Sequence, residues 1–360
     1  METWFFTTSD DEWDRFFEKL PNDKQHVCFS RAYHKLFEEN GDGKAELFIC
    51  EKNGNIYFYP YIKNKIKQVG EFYFKDTLFD IQSVFGYTGP INNSCSSDFV
   101  LEANHEFVKY CIESNILVEF IRFNPLLKNY LELQIISDLD IIKLKKFVFI
   151  TLTKDLCDIE NDFKRTLKQQ IRKAEALNLK CYMNNHLINC NDIFKLYLKR
   201  MKEVNADEYY LFSRNYFNML GDFIKSGYGN VFYARDIEDK LLASNIFVFN
   251  KNTVYWLHSM RDINDGRSSL MNILLTYNAI KYFKEKGFSF FLLGGGKTDL
   301  SDDALLRFKK NFSYEYSYFN IGKRVFNKDI YDKICKSWEL AYPHLIQKRK
   351  NYILKYNYTK

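Results

Sequence analysis

The sequence predicts an α/β (α+β) protein of two units, each a mixed, twisted sheet flanked by helices. Three observations lead there. A chain of 360 residues exceeds the usual size of one hydrophobic core. The order of helix, stop residue and buried strand occurs twice. A helix over about 98–114, Asn115 and the strand run Ile116–Phe123 are answered, about 172 residues further on, by a helix over about 269–286, Gly287 and the run Phe288–Leu293. No Pro/Gly/Ser-rich linker separates the halves, and the chain has five prolines in all, so the units 1–150 and 151–360, the second ending in a helix, are expected to pack tightly.

The first unit opens with helical patterns around Trp13 to Leu20 and Ala32 to Glu39, followed by strand-like runs at Glu46–Glu51 and Ile56–Ile62. Lys52-Asn53-Gly54-Asn55 between these runs is a hairpin signal, because Asn and Gly tolerate the positive φ such a turn needs. The loop Phe85-Gly86-Tyr87-Thr88-Gly89-Pro90 leads into the first recurring helix, in which Phe99, Ala103, Phe107 and Cys111 share a face. In the second unit, helices near 191–203 and 214–226 precede strand-like runs at 230–236, 241–249 and 253–259. Between the units, over Asp158–Leu177, Phe163, Leu167, Ile171, Ala174 and Leu177 recur on one helical face. The opposite face carries Lys164, Arg165, Lys168, Arg172 and Lys173, and reads either as a solvated surface or as one that meets phosphate.

Composition narrows the function classes. Hydrophobic residues make up 46% and charged ones 27%, as in ordinary globular proteins, so folding is expected along the whole length. The 34 Phe and 26 Tyr accompany many Lys, Asn and Ile, a pattern of base-composition bias rather than of an aromatic binding surface. The greasiest region, 135–152, is interrupted by Asp138, Asp140, Lys143, Lys145 and Lys146, which is incompatible with the roughly 18 apolar residues of a spanning helix. Met1 to Asp11 holds acidic residues and no basic stretch before an apolar core, so a soluble, cytoplasmic protein is expected. Cys28, Cys50, Cys95, Cys111, Cys157, Cys181, Cys190 and Cys335 show no metal-like spacing, and neither disulfides nor a metal site is expected. A net charge of +6 is too modest for a dedicated nucleic-acid binder but favours an anionic partner such as a nucleotide-linked substrate, a coenzyme or a tRNA end.

Two loops that follow buried strands are the places where α/β folds put their chemistry. One is Arg122-Phe123-Asn124-Pro125, whose arginine serves either a ligand or an ion pair. The other is Leu293-Gly294-Gly295-Gly296-Lys297, where three glycines would let backbone N–H groups approach a ligand, or simply form a loose connection. After it, Ser301, Asp302 and Asp303 are suited to start a helix that returns Lys309 towards the strand end. An ammonium fixed there suits the oxyanion of acyl transfer, whereas Lys310, about 100° around the helix, is expected to face solvent or phosphate. The chain has no G-x-S-x-G elbow, no phosphate loop ending in Gly-Lys and no H-E-x-x-H. What remains is chemistry done by positioning two substrates, such as attack of an amine on an activated ester.

The run Leu293-Gly294-Gly295, with Asp302-Asp303, Phe308-Lys309 and Phe312 after it, resembles the C-terminal signature of Fem-type peptidoglycan aminoacyltransferases and their GNAT-like relatives. Phe29–Lys35, Gly89-Pro90, Arg122–Pro125, and Leu152-Thr153-Lys154 leading to Ile171-Arg172-Lys173 agree in order, so the likeness covers most of 25–345. It implies tandem GNAT-like domains, an acceptor cleft in the first, and a donor site in the second. No cofactor stays bound; the donor co-substrate is the 3′ end of an aminoacyl-tRNA or, failing that, an acyl-CoA, and the acceptor an amine of a cell-envelope precursor or amino sugar. Carried over by residue, Lys309 is the catalytic cation with Phe308 beside it, and His258 stands where acceptor-binding relatives place a tyrosine. His258 is thus a candidate base as well as a histidine that fills a core gap. Lys35, Tyr87, Arg122 and Asn124 fall on the acceptor side. Arg267, Ser268, Gly294, Gly295, Gly296, Lys168 and Arg172 fall on the donor side. The chain departs from the pattern at Phe212, in place of an arginine, and at Phe85 and Asn93, in place of a tyrosine and an aspartate, which leaves its acceptor open. The long helical hairpin of some Fem enzymes is also absent. Asn264-Asp265-Gly266-Arg267-Ser268-Ser269, where acyl-CoA enzymes carry a glycine-rich pyrophosphate loop, has one glycine, although Ser268 or Ser269 could cap the helix and Arg267 could meet a phosphate. A catalytically silent binding module that keeps the double fold is the competing reading; the Phe308-Lys309 pair and the triple glycine count against it.

Overall fold

The computed structural model describes residues 1–70, 76–94, 96–298, 300 and 302–359. Cys95, Asp299 and Ser301 lie outside the described residues. The chain divides into two compact units: Met1–Leu144 with Phe319–Lys360, and Lys145–Tyr318.

The sheet of unit 1 runs in the order β1 (Glu2–Thr7), β2 (Lys44–Lys52), β3 (Asn55–Lys65), β4 (Phe79–Gln82), β6 (Ile116–Arg122) and β13 (Tyr316–Val325), with β5 (Ile91–Asn92) pairing β3. Of β13, the residues from Phe319 on belong to this unit. β4 and β6 are parallel and the other pairs antiparallel, so the sheet is mixed as expected. Helices α1 (Glu12–Glu18), α2 (Arg31–Glu39) and α3 (Ser97–Glu113) flank it, the last burying Phe99, Ala103, Phe107 and Cys111 against the sheet. The hairpin turn takes φ of 53° at Asn53 and 81° at Gly54, the mirror-image turn that the strand twist prefers.

One boundary is corrected. Phe319–Lys360 packs with unit 1 rather than completing unit 2, because α10 (Lys328–Ala341), α11 (Ile346–Arg349) and the tail bury Ile334, Trp338, Leu345, Leu354 and Tyr356 against Ile66, Leu78, Leu117 and Val118. Tyr356 and Asn357 also donate to the buried Asp80 carboxylate at 3.2 and 3.1 Å. Burial raises the Asp80 pKa to about 6, against the lowering influence of those two donors.

Unit 2 holds the residues of β7 (Asp140–Thr151) from Lys145 on, followed in sheet order by β12 (Phe290–Gly295), β11 (Thr253–Arg261), β10 (Leu241–Asn250), β9 (Gly229–Arg235) and β8 (Lys180–Asn184). Only the β11–β12 pair is parallel, as a strand–helix–strand crossover through α8 (Ser268–Glu285) requires. Asn115 after α3 and Gly287 after α8 both take positive φ, 55° and 80°, so the two stop residues end their helices in the same left-handed way. The expected helix over 158–177 is two: α4 (Leu156–Asn161) and α5 (Arg165–Ala176). Phe163, Leu167, Ile171 and Ala174 join the core beneath α8, while Leu177 at the C-cap is exposed. Helices α6 (Cys190–Glu203) and α7 (Arg214–Phe223) pack on each other, and α9 (Ala304–Lys309) follows β12. Among the described residues, no helix is long and apolar enough to cross a membrane.

Candidate active site

In unit 2 the site begins with a parting of strands. β11 and β12 pair only over Thr253–Tyr255 and Phe290–Leu292; beyond that, β11 follows β10 to Arg261 and β12 follows β7 to Gly295. There β11 and β12 no longer pair with each other, and side chains take over: the Trp256 indole N–H donates to the His258 carbonyl at 3.1 Å. A bulge decides which side chains flank the gap. Ile246 opposes His258 while the next residue, Phe247, opposes Trp256, so Leu257 is the extra residue. Trp256 and His258, which strict alternation would place on one face, therefore lie on opposite faces. Trp256 meets Phe247 and Phe308, with ring centroids 5.9 and 6.1 Å away. His258 is turned into the aromatic layer of α6 and α7.

The second element is the end of β12. A register shift between Leu292 and Gly294 and a φ of 84° at Gly294 turn the strand towards α9. Asp303 caps α9 by accepting from the Leu306 N–H at 2.8 Å, and its other oxygen accepts from the Thr298 N–H at 2.8 Å. Lys309 is the last residue of this short helix, five residues after Ala304, a rise of roughly 8 Å. Its ammonium donates to the Gly295 carbonyl at 2.7 Å. The return of Lys309 to the strand end is thus as expected, but Asp303 rather than Ser301 starts the helix. Burial, then the neighbouring ammonium of Lys145, lower the Lys309 pKa to about 7, against the opposing pull of Asp303. Phe308 is half-buried between Trp256 and Phe312.

Each glycine of the triplet answers to a neighbour inside the unit. A Cβ on Gly294 would stand 3.1 Å from the Lys309 ammonium, one on Gly295 2.3 Å from the Phe147 ring, and one on Gly296 2.4 Å from the Asp303 carboxylate. Gly294 and Gly295 are buried strand residues paired with Val148 and Phe147. Within the unit the glycines let neighbouring side chains approach, and carbonyls of this turn accept from lysines. Lys145, which sequence reasoning read only as a charge that breaks an apolar run, donates to the Gly296 and Lys297 carbonyls at 2.6 and 3.3 Å. Only the register that places Phe147 of β7 opposite Gly295 brings it there.

The other expected donor residues are not gathered at this point. Lys168 is half-buried and Arg172 exposed on α5. Arg267 is held by Asp265, at 3.0 Å to Nε and 2.7 Å to Nη2, and by Asp236 at 3.4 Å. Ser268 is buried as the first residue of α8 and does not cap it; the Asp265 carboxylate instead accepts from the Arg267 N–H at 2.9 Å. Beside it, burial would raise the Asp262 pKa, but Lys199 at 2.6 Å and Lys240 at 2.9 Å outweigh it and hold the pKa at about 2.

His258 does not open into a cleft. It is buried, Nε2 lies 2.9 Å from the Tyr216 hydroxyl, and the rings of Tyr197, Phe212, Tyr216 and Phe217 surround it at 5.3 to 5.7 Å. Burial lowers its pKa to about 3, far below the value a general base needs near neutral pH. The surroundings are those of a core histidine, which corrects its expected role as the base. His258→Ala is therefore expected to destabilise the unit by about 2–4 kcal/mol through the cavity it leaves and the loss of the Tyr216 hydrogen bond. Turnover per folded molecule should stay near wild type; a drop of about 10²–10⁴ in kcat would restore the catalytic assignment.

In unit 1, Lys35 is exposed on α2 with Glu39 at 3.9 Å. Arg122 at the end of β6 donates to the Ser83 and Val84 carbonyls. Asn124 is fully buried, its Oδ1 accepting from the N–H groups of Leu126 and Leu127 at 3.0 and 3.2 Å, a turn-forming role. The Tyr87 ring lies 5.6 Å from that of Phe319.

No protein-family model matches the chain, and no curated protein matches it in sequence. Solved structures do match in fold, and they define the class: Fem-type and tandem GNAT folds. FemX aligns over 93% of this chain and 100% of its own, with a TM-score of 0.67 and 14% identity. L-PGS from Bacillus licheniformis aligns over 93% and 97%, with a TM-score of 0.57 and 12% identity. A tandem GNAT protein from the clavulanic acid biosynthesis pathway aligns over 91% and 99%, at 0.50 and 7%.

Proposed function

We propose that this chain is a cytoplasmic N-acyltransferase that moves an aminoacyl group from aminoacyl-tRNA, or an acyl group from acyl-CoA, to an amine of a cell-envelope precursor or amino sugar. The observation that carries the reading is the Lys309 ammonium, set by α9 at the mouth of the parted β11 and β12 with Phe308 and Trp256 beside it. An ester or thioester carbonyl laid in that gap would develop its negative charge facing Lys309, while the amine attacks directly and no covalent enzyme intermediate is needed. The FemX and L-PGS folds support an aminoacyl donor, and the tandem GNAT fold is compatible with acyl-CoA. The start of α8 favours the former. Where an arginine would meet a pyrophosphate, Asp265 already binds the Arg267 guanidinium, and it also takes the Arg267 N–H before the helix begins.

The test is turnover of the purified protein with charged tRNA and with a panel of acyl-CoAs against amine acceptors. Product from either donor supports the proposal, and product from charged tRNA alone supports its first form. Ligand binding without turnover in every combination would replace it with the binding-module reading.

A further inference from the structure

Lys309 is not the only ammonium at the end of β12. Lys145 enters from β7 and donates to the Gly296 carbonyl at 2.6 Å, while Lys309 enters from α9 and donates to the preceding carbonyl, Gly295, at 2.7 Å. The two cations thus engage the consecutive carbonyls at which β12 ends and the chain turns away. The strand pairing fixes the arrangement, with Gly294 opposite Val148 and Gly295 opposite Phe147, and no side chain on the glycines to keep the lysines apart. The carboxylate that acts on Lys309, Asp303, is itself engaged by the Leu306 and Thr298 N–H groups. Among the described charged residues of these segments, the Lys297 ammonium donates to the Val204 carbonyl at 2.8 Å, the Lys146 ammonium lies over the Tyr316 ring at 4.9 Å, Arg307 is on α9 and Lys310 is its C-cap. Two like charges sharing neighbouring acceptors in a half-buried site cannot both hold their protons as firmly as in water.

We propose that Lys145 is a positioning residue that sets the charge state of Lys309, so that Lys309 serves the transfer as a proton carrier and not only as a fixed cation. The proton-carrier step rests on the acyltransferase reading; the coupling between the two lysines does not. In the step, the neutral Lys309 amine takes a proton from the attacking ammonium, and the freed nitrogen bonds to the acyl carbon. The resulting Lys309 ammonium faces the tetrahedral oxyanion, and its proton then passes to the leaving oxygen or sulfur as the ester C–O or thioester C–S bond breaks. Lys309, neutral again, takes the second proton from the newly acylated nitrogen and releases it to solvent, so each transfer yields amide, free alcohol or thiol, and one proton. The direction of the effect agrees with the lowered pKa of Lys309, to which Lys145 contributes after burial.

The test follows the ¹³Cε resonance of Lys309 against pH in uniformly ¹³C-lysine protein, assigned with Lys309→Met, in wild type, Lys145→Gln and Lys145→Arg. Glutamine keeps a donor for the Gly296 carbonyl and removes the charge; arginine keeps both. The expected result is a wild-type inflection near neutral pH, retained in Lys145→Arg and raised by at least about one pH unit in Lys145→Gln. The kcat/KM of Lys145→Gln should then fall roughly tenfold at pH 7 and recover near pH 9, since a merely structural loss would not recover. A wild-type inflection near the ordinary lysine value, or an inflection that Lys145→Gln leaves in place, overturns the proposal. A shifted inflection in a protein that turns over no donor supports the coupling and removes the acyltransferase reading instead.

Discussion

Lys309→Met is expected to lower turnover by about ten- to a thousandfold, the range for losing one donor to a developing oxyanion. The substitution keeps most of the apolar stem and removes the charge and the hydrogen bond to Gly295. Folding should survive, and the pH dependence of stability supplies a control that activity cannot. In the folded chain the Lys309 pKa is about 7, against the ordinary value of 10.5. Between those values the unfolded chain binds more protons than the folded one, so this lysine makes stability rise with pH. Its cost is full below about 7 and gone above about 10.5. Thermal melts across pH 6 to 10 should therefore show the wild type gaining on Lys309→Met as pH rises. Equal turnover in the two proteins, or wild-type turnover in Lys309→Met beside a loss in Lys310→Met, would falsify the placement of the catalytic cation. Parallel melting curves would show that the side chain is solvated rather than desolvated.

The elements that sequence reasoning found are those whose signal is local. α3, α8 and the strands after them carry apolar periodicity and end on residues suited to positive φ, so both their existence and their duplication were legible. Lys309 was legible because a cap, a short helix and a strand end lie close together in the chain. What was missed depends on register. β7 was read only as a stretch too charged to span a membrane, and the importance of Lys145 follows from its antiparallel pairing with a strand some 150 residues away. His258 was read as a candidate base from its place in the resemblance, and a strand-like run cannot show the bulge at Leu257 that turns it away from the Trp256 face and into the aromatic layer of α6 and α7. The triple glycine was read as a ligand loop because glycine signals close approach, but only the fold shows that the approaching groups are Phe147, Lys309 and Asp303. The basic face of α5 was correctly separated from its apolar face, yet nothing in its spacing says whether Lys168 and Arg172 meet a phosphate.

The placement of the C-terminal segment in unit 1 leads to the largest stability effect expected. Arg324 of β13 and Glu119 of β6 form an ion pair at 3.1 Å with side-chain exposures of 3% and 1%. The Arg324 Nη1 and Nη2 groups both donate to the Asn104 side chain of α3 at 3.0 Å, and the Tyr59 hydroxyl of β3 donates to Glu119 at 2.8 Å. The sheet, its flanking helix and the C-terminal strand thus meet in one network that water does not reach. Asp138, 3.9 Å from Arg324 and more than half exposed, is too well solvated to replace Glu119. Arg324→Met should leave the Glu119 carboxylate buried with the Tyr59 hydroxyl and cost about 3–5 kcal/mol at pH 8, measured by urea unfolding. The sign of the pH dependence is fixed. Burial raises the Glu119 pKa above 4.5 even with Arg324 in place, and removing the arginine raises it further, so the folded variant binds more protons than its unfolded chain above that value. The variant's deficit should therefore shrink as pH is lowered from 8 towards 5, and Arg324→Met combined with Glu119→Gln should recover much of the loss at pH 8. A deficit below about 1 kcal/mol, within the range of an exposed pair, would mean that water reaches this network and that β13 is held to unit 1 chiefly by its apolar contacts.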